Sequence, residues 1–227
     1  MSSSQLFTTI SDRIATIRQQ LPETVRLIAV SKQVSVEAMR EAYAAGIRDF
    51  GESRVQEAAA KQSQLQDLPD ISWHLIGHLQ TNKAKKALEH FQWIHSLDSL
   101  KLAQALDRLA TSLSTNPQVL LQVKLLPDPN KYGWTEEELF QDLPALNQCQ
   151  NLQITGLMTI APQNLTEGEI LSLFQNTRSL AAKIQQQNWS HIQMQHLSMG
   201  MSEDYDLAVQ AGATMVRLGR TLFGERS

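Results

Sequence analysis

The chain has 227 residues, 42% of them apolar and 19% charged, with a formal net charge of -3. These values fit one globular domain over residues 1–227 and exclude a disordered chain; with no long basic stripe or aromatic-basic interleaving, they also exclude one that coats nucleic acid. The single cysteine, Cys149, excludes an intrachain disulfide framework and a cysteine-based zinc cluster, which suits a cytoplasmic protein, and no run of 18 apolar residues predicts a membrane span.

Leu6, Ile10, Ile14, Ile17 and Leu21 recur every three or four positions and Pro22 ends the run, so one amphipathic helix precedes the main fold. With Asp12 and no continuous apolar stretch, this segment is not expected to be a secretion signal. A strand is predicted at 26–30 and a helix at 36–45, closed by Gly46. A strand at 48–50, a helix at 54–68, a strand at 71–76 and a helix at 81–89 follow. The second half continues with strands at 91–95, 118–125, 152–157, 192–196 and 214–218. Helices at 100–113, 136–143, 168–187 and 203–211 separate them. Eight strands alternating with helices predict a closed parallel (β/α)8 TIM barrel of the α/β class with an extra N-terminal helix; an open doubly wound sheet is the alternative.

Lys32 follows the first strand directly and faces the mouth of such a barrel. Partial desolvation there lowers an amine's pKa and frees it to condense with an aldehyde, although a solvated loop charge is the plainer reading of the position alone. At the last strand, TMVRLGRTLFG places Gly219 and Arg220 where backbone N–H groups can face a phosphate. The preceding unit, HLSMGMSEDYD, adds a Ser198 hydroxyl and a Gly200 turn to that cup; glycines that merely serve turns remain the alternative. Arg217 sits inside an apolar strand and needs an anion or acceptor partner. A guanidinium facing a pyridine nitrogen keeps that nitrogen unprotonated and weakens the ring as an electron sink, whereas an ion pair with an acidic neighbour is the structural alternative.

Seven segments carry a resemblance when taken in order. They are AVSK at 29–32, FGESRVQE at 50–57, WHLIGHLQTNK at 73–83, HSLDS at 95–99, GLMTIA at 156–161, LSMGMSED at 197–204 and VRLGRTLFG at 216–224. Together they closely resemble the pyridoxal phosphate homeostasis proteins, single-domain relatives of the alanine racemase barrel (fold type III). The resemblance implies pyridoxal 5'-phosphate (PLP) as cofactor, held as a Schiff base on Lys32. It implies phosphate ligands at Ser198, Met199, Gly200, Gly219 and Arg220, and Arg217 as partner of the pyridine nitrogen. It places Asn82, His78, Met158 and Thr159 around the pocket. It further implies a cytoplasmic monomer that buffers PLP or delivers it to apo PLP-enzymes, and so influences vitamin B6 and amino- and keto-acid balance without robust catalysis. Where family members commonly read Gly-Glu-Asn followed by an aromatic residue, this chain has Ser53 and Arg54, with altered contact to the ring expected and binding retained.

A weak amino-acid racemase is the competing reading. A racemase of this fold needs a second base, a tyrosine carried by an additional domain, and the chain ends at Ser227, just after the eighth unit. Tyr43 and Tyr205 are expected in helices, which leaves Tyr132 as the pocket candidate. No metal site is expected: His74, His78 and His95 occupy different strand ends and lack carboxylates at ligand spacing. Lys83, Lys85 and Lys86 form a charged face or a patch that guides a phosphorylated ligand inward, and Trp73 and Trp93 are expected as packing residues.

Overall fold

The computed structural model describes residues 9–128 and 132–224. Helix α1 (Ile10–Gln20) opens with a capping box between Thr9 and Asp12. Eight units then follow: β1 (Arg26–Val30), α2 (Val36–Ala44), β2 (Asp49–Glu52), α3 (Val55–Gln62), β3 (Ser72–Leu75), α4 (Ala84–His90), β4 (Trp93–Leu97), α5 (Leu100–Leu113), β5 (Gln118–Gln122), α6 (Glu136–Leu146), β6 (Gln153–Met158), α7 (Glu167–Gln185), β7 (Ile192–Ser198), α8 (Tyr205–Gln210), β8 (Met215–Leu218) and α9 (Arg220–Phe223). The strands are parallel and close in chain order, with β8 pairing back onto β1 through Ile28↔Arg217 and Ala29↔Leu218. The expected barrel is thus observed, and Leu6 of the expected first helix lies outside the described residues.

Most strands are buried on both sides, so alternate side chains serve two interiors; β7 is the exception, with Gln193 and Gln195 exposed. Leu27 and Ala29 of β1, Ile94 and Leu97 of β4, and Val216 and Leu218 of β8 join the large apolar cluster between strands and helices. Ile28, Trp93, Leu120, Met158 and Met215 form a separate cluster in the lumen. By the same alternation His74, His95, Ser198 and Arg217 occupy the lumen, all four buried.

Several boundaries differ from those expected. Strand β2 runs two residues further and takes in Glu52, which pairs with Leu75 on β3, and β7 runs to Ser198, which pairs with Met158 on β6 and Met215 on β8. Strand β5 stops at Gln122, where the chain turns to exchange hydrogen bonds with Trp134. Helix α6 passes Pro144 and ends at Leu146. Helix α3 ends at Gln62 rather than near Leu68.

Candidate functional site

The mouth of the barrel gathers the turns that follow β1, β7 and β8. After β1 the Ser31 N–H donates to the Gly51 carbonyl (3.0 Å) and the Val34 N–H donates back to the Ser31 carbonyl (2.9 Å), which makes a tight turn around half-buried Lys32. Both neighbours of Lys32 are pinned. Lys61 Nζ on α3 donates to the Ser31 carbonyl (2.6 Å), to Glu52 Oε1 (2.8 Å) and to Glu57 Oε1 (2.7 Å), which uses all three ammonium protons. The Ser31 hydroxyl donates to Glu52 Oε1 (2.7 Å), and the Gln33 N–H donates to Glu57 Oε1 (2.5 Å). Burial pushes the Glu52 carboxyl up against the lowering effect of its Lys61 and Ser31 bonds. In Glu57 burial acts the same way, but the hydrogen bonds from Lys61 and Gln33 prevail and hold it below its ordinary value. Glu52 Oε2 is buried without a hydrogen-bond partner among the described residues.

On the neighbouring strands Arg217 lies fully inside the protein. Its guanidinium donates through one terminal nitrogen to the Ser198 carbonyl (2.7 Å) and hydroxyl oxygen (2.6 Å), and through the other to the Thr159 carbonyl (2.9 Å). Burial lowers its pKa to about 10, with Asp204 opposing. These partners replace the ion pair that was the structural alternative for Arg217. Ser198, whose hydroxyl is expected in the phosphate cup, is the last residue of β7; its Oγ receives Arg217 and lies 2.8 Å from His95 Nδ1. The Met199 amide is likewise committed, to the Met215 carbonyl (3.2 Å).

Gly200 adopts φ +91°, and a Cβ there would meet the Ala208 Cβ at 2.6 Å, so only glycine fits this close turn against α8. Gly219 leads into α9, and the Arg220 side chain turns outward to Glu203. Met158 ends β6 in the lumen cluster, and Asn82 is exposed in the 3-10 turn Thr81–Lys83. His78 Nδ1 lies 2.7 Å from Asp98 Oδ2, and its ring stacks on Tyr132 at 3.6 Å.

His74 and His95 do not sit at strand ends as expected. Their rings meet in the lumen, Nδ1 of His74 being 2.9 Å from Nε2 of His95, and His74 Nε2 lies 2.9 Å from Asp49 Oδ1. Burial lowers the pKa of His74 and holds that of His95 well below the ordinary histidine value. Sequence reasoning missed this file, and also Glu52 and Lys61. The signal available was polar residues at alternate positions of strands that are apolar elsewhere. No group of three metal-binding side chains occurs among the described residues.

A sequence profile of the alanine racemase N-terminal domain matches residues 8–227. A pyridoxal phosphate homeostasis protein from Synechocystis is 53% identical over 206 residues, covering 91% of this chain and 94% of the relative. The chain belongs to the pyridoxal phosphate homeostasis protein family. Within that family, the structure of PipY from Synechococcus elongatus with PLP bound is 56% identical and superposes with a TM-score of 0.91, over 95% of this chain and 100% of that one. An alanine racemase from Clostridium difficile, 16% identical, shares the fold with a TM-score of 0.77 over 96% of this chain and 57% of its own length.

Proposed function

We propose that this chain binds PLP through Lys32 and serves PLP homeostasis instead of turning over a substrate. When bound, PLP supplies an aldehyde that an amine can capture and a phosphate that amides can hold. The observation that carries the reading is that the pinned Lys32 turn follows β1, whose neighbour in the closed barrel is β8 with the buried Arg217, paired with Ile28. Three guanidinium protons of Arg217 go to Ser198 and Thr159, and the fork's other N–H groups suit an uncharged ring acceptor. The Gly200 turn and the Gly219–Arg220 amides suit the phosphate, with Ser198 and Met199 as the frame that shapes them, and Met158 and Asn82 line the pocket.

The same residues argue against a racemase. The Tyr43 hydroxyl donates to Asp70 and that of Tyr205 to Gln20, both on the outer surface, while Tyr132 is 55% exposed. Tyr132, stacked on His78, is thus the one tyrosine left as a candidate second base, and its exposure to water disfavours that role. In this reading the protein is a cytoplasmic monomer whose partners are PLP and the apo PLP-enzymes that receive it. The residues at Ser53 and Arg54 adjust contact with the ring and leave binding intact.

Borohydride reduction followed by peptide mapping tests the claim: the pyridoxyl adduct is expected on Lys32, and a label elsewhere, or none, defeats it. Conversion of L- to D-amino acids above the free-cofactor rate, lost in Lys32→Ala, would favour the racemase instead.

A further inference from the structure

Beneath Arg217 a file of hydrogen bonds runs down the lumen to the barrel floor. Ser198 Oγ, His95, His74 and Asp49 follow one another at 2.8, 2.9 and 2.9 Å, and Arg26 stands 3.8 Å from Asp49 at the base. His74, His95 and Ser198 are completely buried. Trp93 stacks on His74 and meets His196 edge-on, which closes the sides of the file.

The direction of every proton in this file follows from its lower end. A carboxylate has only lone pairs to offer, so His74 carries its proton on Nε2 and donates it to Asp49. Both rings are neutral, because burial disfavours charge on His74 and, more strongly, on His95, where His74, Arg217, Arg26 and His196 add to the effect. A neutral imidazole has one proton. Nδ1 of His74 is therefore an acceptor, and His95 must place its proton on Nε2 to donate to it. Nδ1 of His95 is then an acceptor too, and it takes the Ser198 hydroxyl proton. The lone pairs of Ser198 Oγ are left to receive Arg217.

We propose that Asp49, His74 and His95 are positioning residues that lock the polarity of this file, so that Ser198 is held as an acceptor and Arg217 is aimed at the cofactor ring. The proposal rests on the reading that Arg217 faces PLP. With the opposite polarity His95 would donate to Ser198 Oγ, so that Arg217 shares that oxygen with a second donor and the Ser198 proton turns towards the pocket, while the guanidinium keeps only its two carbonyl acceptors as undisturbed partners. A carboxylate at the floor thus decides what the mouth presents, without touching anything bound there.

The test begins on the PLP-free protein, where nitrogen NMR of the histidine rings reports which nitrogen is protonated. At pH 7 both His74 and His95 are expected as neutral Nε2–H forms; a charged ring, or an Nδ1–H form in either, overturns the lock. In Asp49→Ala, Nδ1–H forms should appear in one or both rings. The PLP dissociation constant should rise about ten-fold, the size of one misdirected hydrogen bond to a charged group. Unchanged tautomers in this variant overturn the proposal, even if PLP binds more weakly. Changed tautomers with unchanged PLP affinity overturn the link from the file to the site. Failure of Lys32 to take up the borohydride label would defeat the functional reading alone, since the ring measurement needs no cofactor.

Discussion

On β8, Val216 and Leu218 point into the jacket between strands and helices, while Met215 and Arg217 point into the lumen; on β4, Ile94 and His95 divide in the same way. The jacket is held by area. Phe50, Phe174, Leu102 and Leu106 are buried in one continuous apolar cluster that tolerates no void but demands no particular direction of approach. The lumen is held by direction. The polar file within it, from Arg217 to Asp49, consists of groups that are stable there only while each donor meets an acceptor. One barrel can therefore keep a permissive outer core and an exacting inner one, and only the inner one reaches the functional mouth.

Three experiments would break or sharpen that contrast. The largest effect is expected in the jacket, where Phe174→Ala should cost about 3–5 kcal/mol in denaturant unfolding, while the Lys32 label after borohydride treatment persists in the protein that remains folded. A smaller loss from Phe174→Ala than from any lumen substitution would invert the comparison. Next is Lys61→Met, which strips the Glu52 and Glu57 carboxylates of their shared partner and should cost about 3 kcal/mol near neutral pH. That loss should shrink on acidification. Burial already raises the Glu52 pKa, so the folded state takes up a proton before the unfolded chain does, and stability recovers as pH falls through the folded value. A pH-independent loss would mean that Glu52 is not the group left exposed.

The smallest effect is in the lumen and is visible as a slope. Unfolded His95 takes a proton near 6.5 but the buried ring does so only well below, so the native state loses stability as pH drops under 6.5 and regains it above. Against wild type, His95→Gln should flatten this dependence by up to about 1.4 kcal/mol per pH unit. Parallel stability curves for the two proteins between pH 5 and 7 would show that the ring does not stay neutral in the fold.

The alternation of strands and helices was legible because it is written locally, in apolar periodicity and in the Gly46 and Gly212 stops, both with positive φ. Lys32 and Arg217 could be singled out because each interrupts a local pattern, a charge at a strand end and a charge within a strand. What failed to show was what depends on lateral pairing. Ser198 looks like loop because nothing in its own neighbourhood reveals that Met158 on β6 and Met215 on β8 extend β7 to meet it. Lys61 looks like one more exposed charge on an Ala- and Gln-rich helix, and only the return of β1 and β2 beneath that helix shows that it is buried. His74 and His95 are 21 residues apart and their contact exists only once the barrel closes. Counting side chains by strand parity would have put both on the inner face, though not in contact.

Because Lys61 and Glu57 immobilise the peptide units on either side of Lys32, the segment is already arranged before any small molecule arrives. Capture then has to still one side chain instead of a whole loop, and little conformational freedom is forfeited at the moment of encounter. Release is equally undemanding, since the turn is held by the protein's own groups and has no need of an occupant to keep its shape. Such a receptacle can fill and empty without being rebuilt each time.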